Sequence, residues 1–306
     1  MKLDTLIIGA GPAGCMAAVY LARAGFSSHI LGSSPPGGQL LHTQEIENFP
    51  GFPEPLSGAE LMELMHKQAA RFGIKISAEN AKSVDLSGPP FKTTASDGTV
   101  YESRSLIIAT GANARWLGLE SERRLTNKGV SGCATCDGFF YRGKNVCVLG
   151  GGDSAIGDAL FLSRFAASVK LVHRRDKLRA CAALIAKAQV NPKISFVWDS
   201  VVEEVLGQDS VSGLRLKNVK TGQVSELPCE AVFLAIGHTP ASTLFKDKLE
   251  LDAEGYIVVK KGTHTSVPGV FACGDVTDPH YKQAVCAAGS GCMAALDVRD
   301  YLYTAN

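Results

Sequence analysis

Thr5 to Gly14 reads TLIIGAGPAG, and Val146 to Ala155 reads VCVLGGGDSA. Each is an uncharged apolar run that breaks into glycines at the same relative positions, Gly9 and Gly11 in the first copy and Gly150 and Gly152 in the second. A small residue, Gly14 or Ala155, stands three places further on. Each copy continues into a helix-like segment and then a second apolar run, SSHIL ending at Leu31 and SVKLV ending at Val172. Strand, tight turn, helix and strand make the unit of a dinucleotide-binding fold. The first glycine permits the turn, and the second lets backbone approach a pyrophosphate. The third position keeps helix and strand close, while the helix N-terminus favours the anion. One such loop is a weak signal; two, each followed by a strand at the right distance, are a strong one. The sequence therefore predicts an α/β protein with two Rossmann-like dinucleotide-binding domains.

Working outward, SLIIATGA (Ser105 to Ala112) and AVFLAIGHTP (Ala231 to Pro240) read as buried strands ending in glycine turns, each late in its own unit. Thr110, Gly111 and Gly237 lie in those turns and are candidate nucleotide contacts. A third such stretch, VPGVFACGDV (Val267 to Val276), comes after the second unit has ended. The expected organisation is one domain over residues 1–113, resumed over 242–306, with a second domain, 114–241, inserted into it. Both crossings fall at turns, where a hinge costs little.

Composition bounds the function. Apolar residues make up 45% and charged residues 20% of the 306, an ordinary globular balance. With 31 basic against 30 acidic residues the net charge is +1, and no strong basic run stands out, so neither nucleic acid nor an anionic membrane is expected as a partner. The uncharged stretch Thr5 to Ala22 could pass for a signal-peptide core. It holds Pro12 and the glycines of GAGPAG, however, and a cytoplasmic protein is the expectation. Nine cysteines, an odd number mostly within apolar runs, do not form the pattern of a secreted disulfide framework.

The two units differ where nucleotides are discriminated. After the second strand of the later unit comes HRRDKLR, with His173, Arg174, Arg175 and Arg179. Guanidinium groups there suit a ribose 2′-phosphate, so this unit should take NADPH on Gly150, Gly152, Asp153, Ser154 and Ala155. The same place in the first unit reads GSSPP from Gly32 and carries no cation. Between the two lies SGCATCDGFFYR, with Cys133 and Cys136 two residues apart and Asp137 directly behind. Thiols at this spacing suit half of a zinc site, a redox disulfide, or chance, and Asp137 by itself suits a helix N-cap. If the pair is redox-active, NADPH needs a carrier that converts hydride transfer into thiol chemistry, and flavin is the natural one, which makes FAD the expected occupant of the first unit.

With these residues in hand, the chain resembles the low-molecular-weight thioredoxin reductases, and the resemblance covers nearly its whole length. It rests on GGQL (from Gly37), EIENFPGFP (from Glu45), IIATGANARWLGL (from Ile107), CATCDGFF (from Cys133), GGGDSA (from Gly150), HRRDKLRA (from His173), AIGHTP (from Ala235) and GSGCMAALD (from Gly289), in order and in spacing. The resemblance implies FAD contacts at Gly9, Ala10, Gly11, Pro12, Ala13, Gly38, Gln39, Asn48, Gly274, Asp275, Gln283 and Ala284. It implies a redox disulfide between Cys133 and Cys136 that cycles with the flavin. Cys136 would face the flavin, Cys133 would attack the disulfide of thioredoxin, and Asp137 would handle the proton. A homodimer, and rotation of the inserted domain about linkers near Arg115 and Thr239, are also implied.

Three positions depart from the family pattern. Lys282 stands where arginine is usual before the Gln-Ala pair, keeping the charge without the fork. Ser33 follows the second strand where an acidic residue is usual. Cys273 replaces an alanine and is read as packing. Two rival readings use the same features. A flavin-dependent oxidase of small dithiols would run the same residues backwards toward oxygen, and a zinc-stabilised binding module would be colourless.

Overall fold

The computed structural model describes residues 2–304. The chain divides into two compact units, one built from the segments up to Asn113 and from Thr239 onward, the other running from Ala114 to His238.

In the first unit the central strand Lys2–Ile8 lies between Ser28–Leu31 and Val100–Ile108, parallel to both, with Lys75–Ser77 at the edge. The long strand Val100–Ile108 is shared on its far side: its first half pairs antiparallel with Phe91–Ala95 and its second half parallel with Val270–Ala272. The LII run is buried on both faces because neighbouring side chains serve different cores. Ile7 joins a cluster with the helices Pro12–Arg23, Gly58–Arg71 and Ala284–Thr304, whereas Leu6 and Ile8 pack with Phe91, Phe245 and Val270. The alternation is the period-2 geometry of a strand.

Small residues let two of those helices meet closely. A side chain on Gly291 would run into the Ala13 carbonyl, and Ala17, Ala18, Ala294 and Ala295 are buried around them. The helix Gly58–Arg71 carries its own start signal: Ser57 accepts from the Glu60 N–H at 3.2 Å, and Glu60 accepts from the Ser57 N–H at 2.8 Å, a reciprocal capping box.

The second unit repeats the plan. Asn145–Leu149 sits between Ser168–Val172 and Ala231–Leu234 in a five-stranded parallel sheet completed by Ile194–Val197 and Val130–Ser131. Val146 and Val148 face the helical side with Ala155, Ile156 and Leu162, while Cys147 and Leu149 face Val205, Leu214 and Leu216. Those three belong to an antiparallel sheet of Ser200–Leu206, Gly213–Asn218 and Val224–Pro228, so here one face is covered by strands rather than helices. Among the described residues no helix is long and apolar enough to cross a membrane.

Candidate functional site

The two glycine loops are superimposable in their bonding. Gly9 N–H donates to the Leu31 carbonyl at 2.8 Å, and Gly150 N–H to the Val172 carbonyl at 3.1 Å. Gly9 has φ +122° and Gly150 φ +150°, a backbone region that disfavours any side chain. A Cβ would in addition strike the Ala109 carbonyl at the first and the Ala235 carbonyl at the second. These two glycines are required by the protein itself.

Gly11 and Gly152 are not. Their φ values, −79° and −97°, suit any residue. A methyl at Gly11 would meet no other part of the protein closer than the Gly37 carbonyl at 4.0 Å, and one at Gly152 would meet nothing within 4 Å. Both are N-caps without a side-chain cap, so the first-turn N–H groups of the helices Pro12–Arg23 and Asp153–Leu162 face an open cradle. Backbone donors, helix polarity and the missing Cβ fit the pyrophosphate of a dinucleotide. On this observation the residues of each unit fit a dinucleotide such as FAD or NADPH.

Around the first loop, close contacts and hydrogen bonds gather most of the candidates named from the sequence. Thr110 N lies 3.1 Å from where a Gly9 Cβ would stand, and a Cβ on Gly274 would reach the Ala13 methyl at 3.0 Å. Gln39 donates to Asn113 at 2.7 Å and Asn48 to Gln283 at 3.4 Å. Gly38 and Gly111 have φ +67° and +75°, and the Gly111 carbonyl and Thr110 hydroxyl both tie to Ala241. Asp275 stands half-buried next to Gly274, its carboxyl pushed up to about 6 by burial, helped by the Asp278 charge and opposed by Lys282. Lys282 sits just before Ala284, at the start of the C-terminal helix, with φ +48°, and its ammonium donates to the Pro279 carbonyl. Ser33 is exposed and its hydroxyl donates to the Pro35 carbonyl at 3.2 Å. Ala10 is buried, and its carbonyl takes a 3.0 Å contact from His66, a residue no motif pointed to.

In the second unit the arginine segment folds back onto its glycine loop. Arg179 N–H donates to the Gly151 carbonyl and Cys181 N–H to the Asp153 carboxylate, both at 2.7 Å. His173 packs its ring against Gly151, where a Cβ would collide with it. It is 7% exposed, and its Nε2 has no hydrogen-bond partner among the described residues. Burial first, then the charges of Arg174, Arg175 and Arg179, push the imidazole below its usual value, against a backbone bond from Lys177. The three arginines are exposed and make no ion pair among the described residues. Three unpaired guanidinium groups beside an orphaned buried imidazole nitrogen fit a phosphate. Ala155 is buried under Gly150, Ser154 is exposed, and Gly237, with φ +102°, accepts from the Arg115 N–H at 3.0 Å.

Cys133 and Cys136 are joined as a disulfide with Cα atoms 5.3 Å apart. Cys133 is the N-cap of the turn Ala134–Asp137, and its sulfur accepts from the Cys136 N–H at 3.2 Å. Asp137 closes that turn and stands at the N-cap of the 3-10 helix Gly138–Tyr141, but its side chain makes no capping bond to that helix. Its carboxylate instead accepts from Ser131 Oγ at 2.6 Å. Burial raises the Asp137 carboxyl above its usual value, and the Ser131 bond opposes that. Ser131 escaped the sequence reading, although a hydroxyl two residues ahead of the first cysteine was a signal available there. The other seven cysteines are outside any disulfide; Cys273 is fully buried, with its thiol pushed up to about 12, which leaves it a packing role. Among the described residues no group of three or more His, Cys, Asp or Glu side chains could hold a metal ion.

The pyridine nucleotide-disulphide oxidoreductase family model matches residues 3–291. The thioredoxin reductase of Streptomyces coelicolor is 50% identical over 301 residues, covering 98% of this chain and 94% of that protein. The bifunctional thioredoxin reductase/thioredoxin of Mycobacterium leprae is 46% identical over 300 residues, with 98% of this chain and 66% of the relative covered. Among solved structures, the thioredoxin reductase from Giardia duodenalis matches with a TM-score of 0.94 at 39% identity, over 99% of both chains.

Proposed function

Because the chain belongs to the pyridine nucleotide-disulphide oxidoreductase family, we propose that it works as a thioredoxin reductase, carrying electrons from NADPH by way of FAD to Cys133–Cys136 and on to the disulfide of thioredoxin. The observation that carries the reading is the bonded cysteine pair with an acid held directly behind it, on the same compact unit as an arginine-flanked glycine loop. The enzyme is an NADPH-dependent flavoprotein disulfide reductase. When bound, FAD turns hydride transfer from a nicotinamide into two-electron reduction of a disulfide.

The chain's own residues divide the rest. Gly9 to Ala13, Gly38, Gln39, Asn48, Thr110, Gly111, Gly274, Asp275 and Lys282 to Ala284 hold the flavin nucleotide. Gly150, Gly152 to Ala155, Gly237, His173 and the three arginines hold NADPH and select its 2′-phosphate. In the reduced enzyme the Cys133 thiolate attacks one sulfur of the partner disulfide. That S–S bond breaks, and the departing partner sulfur takes a proton. Cys136 passes its proton to the Asp137 carboxylate and attacks Cys133 in the mixed disulfide. The second partner sulfur then leaves and takes that proton from Asp137, which returns to the carboxylate, the first partner sulfur having drawn its proton from solvent. Two electrons and two protons have moved to the partner, and Cys133–Cys136 is closed again.

We place the enzyme in the cytoplasm, where thiols are kept reduced, as a homodimer. Support for a second copy comes from Met293, Leu296 and Tyr303, exposed large side chains on the helix Ala284–Thr304. Anaerobic titration tests the function: NADPH should bleach the flavin and thioredoxin should restore its colour with one thioredoxin disulfide reduced per flavin. If thioredoxin leaves the bleached flavin unchanged while oxygen and small dithiols support turnover, the enzyme is a dithiol oxidase instead.

A further inference from the structure

The Ser131 hydroxyl sits at a junction that the chemistry above leaves unexplained. It donates to Asp137 Oδ2 at 2.6 Å, lies 3.3 Å from the Cys133 carbonyl, and accepts from the Cys133 N–H at 3.0 Å. Asp137 N–H in turn donates to the Cys133 carbonyl at 3.1 Å. Ser131 is 6% exposed, at the end of the edge strand Val130–Ser131, whose partner residue is Phe233 in Ala231–Leu234. The Ser131 backbone therefore belongs to the sheet while its hydroxyl bonds the turn that carries both cysteines. The bond from the Cys133 N–H is ordinary local turn geometry, whereas the 2.6 Å bond to Asp137, six residues on, ties the acid behind the cysteines to the end of the strand.

We propose that Ser131 is a positioning residue for the thiol–disulfide reaction, fastening the Asp137 carboxylate and the first cysteine's backbone to one fixed point of the sheet. The inference rests on the reading of Cys133–Cys136 as the working disulfide. Its chemistry follows from which form of the acid the hydroxyl favours. A donor aimed at Oδ2 stabilises the carboxylate, the form that can take the proton of Cys136, while burial favours the neutral acid. The two effects oppose each other, and Ser131 keeps the carboxylate accessible at the pH where thiols react. Without it the carboxyl would stay protonated to higher pH and the acid would be free to swing away from the turn.

The surroundings supply no substitute. Tyr141 is the titratable group that senses the Asp137 charge, and its own hydroxyl is pushed up by burial and by that charge. The helix Asp153–Leu162 and the turn after it present Phe161, Leu162 and Phe165 to Gly138, next to the acid. The acids of that helix are Asp153, whose carboxylate holds the Cys181 N–H, and Asp158. Arg142, at the end of the 3-10 helix that follows, holds its guanidinium over the Phe139 ring at 5.7 Å, and the two thiols lie in the turn itself.

The test is the pH dependence of iodoacetamide alkylation of the NADPH-reduced enzyme, a readout that needs no thioredoxin. Ser131→Ala should move the carboxyl-linked inflection up by about one pH unit, the effect of losing one hydrogen bond to a charged group. It should lower kcat for thioredoxin with KM for NADPH unchanged. Ser131→Thr keeps the hydroxyl and should restore the parent profile. An unshifted profile in folded Ser131→Ala, or a shifted one in folded Ser131→Thr, overturns the proposal. If Ser131→Ala does not fold, the infrared carboxyl band of the parent decides, with Asp137→Asn as blank: a hydrogen-bonded band supports the clamp and a free one refutes it. Failure of the underlying function is seen separately, as full thioredoxin turnover by Cys136→Ser.

Discussion

Replacing Gly11 by alanine separates what the fold needs from what a ligand needs. At this position φ is −79°, ψ is −173°, and the nearest atom of the protein to a new methyl is the Gly37 carbonyl at 4.0 Å. The extended backbone also suits the residue ahead of Pro12. Removing glycine's freedom from the unfolded chain should stabilise by about 0.4–1 kcal/mol. Alanine is a poorer N-cap than glycine by a comparable amount. The flavin-free protein should thus melt within about 3 °C of the parent. A bound pyrophosphate would have to retreat from the helix N-terminus, giving up one or two charge-assisted hydrogen bonds of about 1.5–3 kcal/mol each. FAD affinity should accordingly fall by about tenfold or more. Gly9→Ala is the control, because φ +122° and the Ala109 carbonyl penalise the side chain whether or not a nucleotide is present. The assay pairs thermal melting of flavin-free protein with fluorescence titration of FAD. The reasoning is refuted if Gly11→Ala melts as low as Gly9→Ala, or if it binds FAD as tightly as the parent.

Other outcomes follow from the same sites. Cys133→Ser and Cys136→Ser should each abolish thioredoxin reduction while leaving anaerobic bleaching of the flavin by NADPH largely intact; full turnover by either would remove the disulfide from the pathway. Neutralising Arg174 and Arg175 together should raise KM for NADPH at least tenfold and leave that for NADH little changed, since the two guanidinium groups have no other partner in an ion pair among the described residues. Equal losses with both nucleotides would make them supports of the fold. Asp275, with its folded carboxyl near 6 against an ordinary 3.8, contributes stability that is complete below about pH 4 and lost as pH rises through 6. Flavin-free protein should therefore lose at most about 3 kcal/mol between pH 4 and pH 7 from this group, and Asp275→Asn should flatten that part of the profile in urea melts. A slope that survives the substitution would place its origin elsewhere.

The parallel α/β architecture was legible because its signals are local. A run of four buried residues, a glycine that must take positive φ, and a small residue five places later are all set within one strand–turn–helix unit, and they recur at Gly9 and Gly150 with the same hydrogen bonds. The spacing of Cys133 and Cys136 is likewise a property of one turn and leaves a metal site or a disulfide open; the resemblance pointed to the disulfide, and the structure shows the pair bonded. Less was legible of what covers the sheets. The antiparallel strands from Ser200 to Pro228 bury Cys147 and Leu149 from the side where a second layer of helices would stand in a doubly wound fold, and nothing within LGGG announces which layer arrives.

Within the candidate site, residue types and order came from the chain itself, while the state of each group came from its neighbours in space. GAGPAG and HRRDKLR suggest a phosphate cradle and a phosphate clamp by residue type and by their place after a strand. That Gly11 is dispensable to the protein and Gly9 is not depends on where the Ala109 and Gly37 carbonyls lie, residues distant in sequence. Asp137 does stand at a helix N-cap, but its carboxylate is directed elsewhere, because the strand ending at Ser131 brings a hydroxyl to 2.6 Å and burial raises its carboxyl. Sequence determines which groups can bond and which backbone turns are permitted, because those are properties of one or a few residues. Desolvation and the direction of a hydrogen bond are sums over everything packed nearby, and only the tertiary structure decides them.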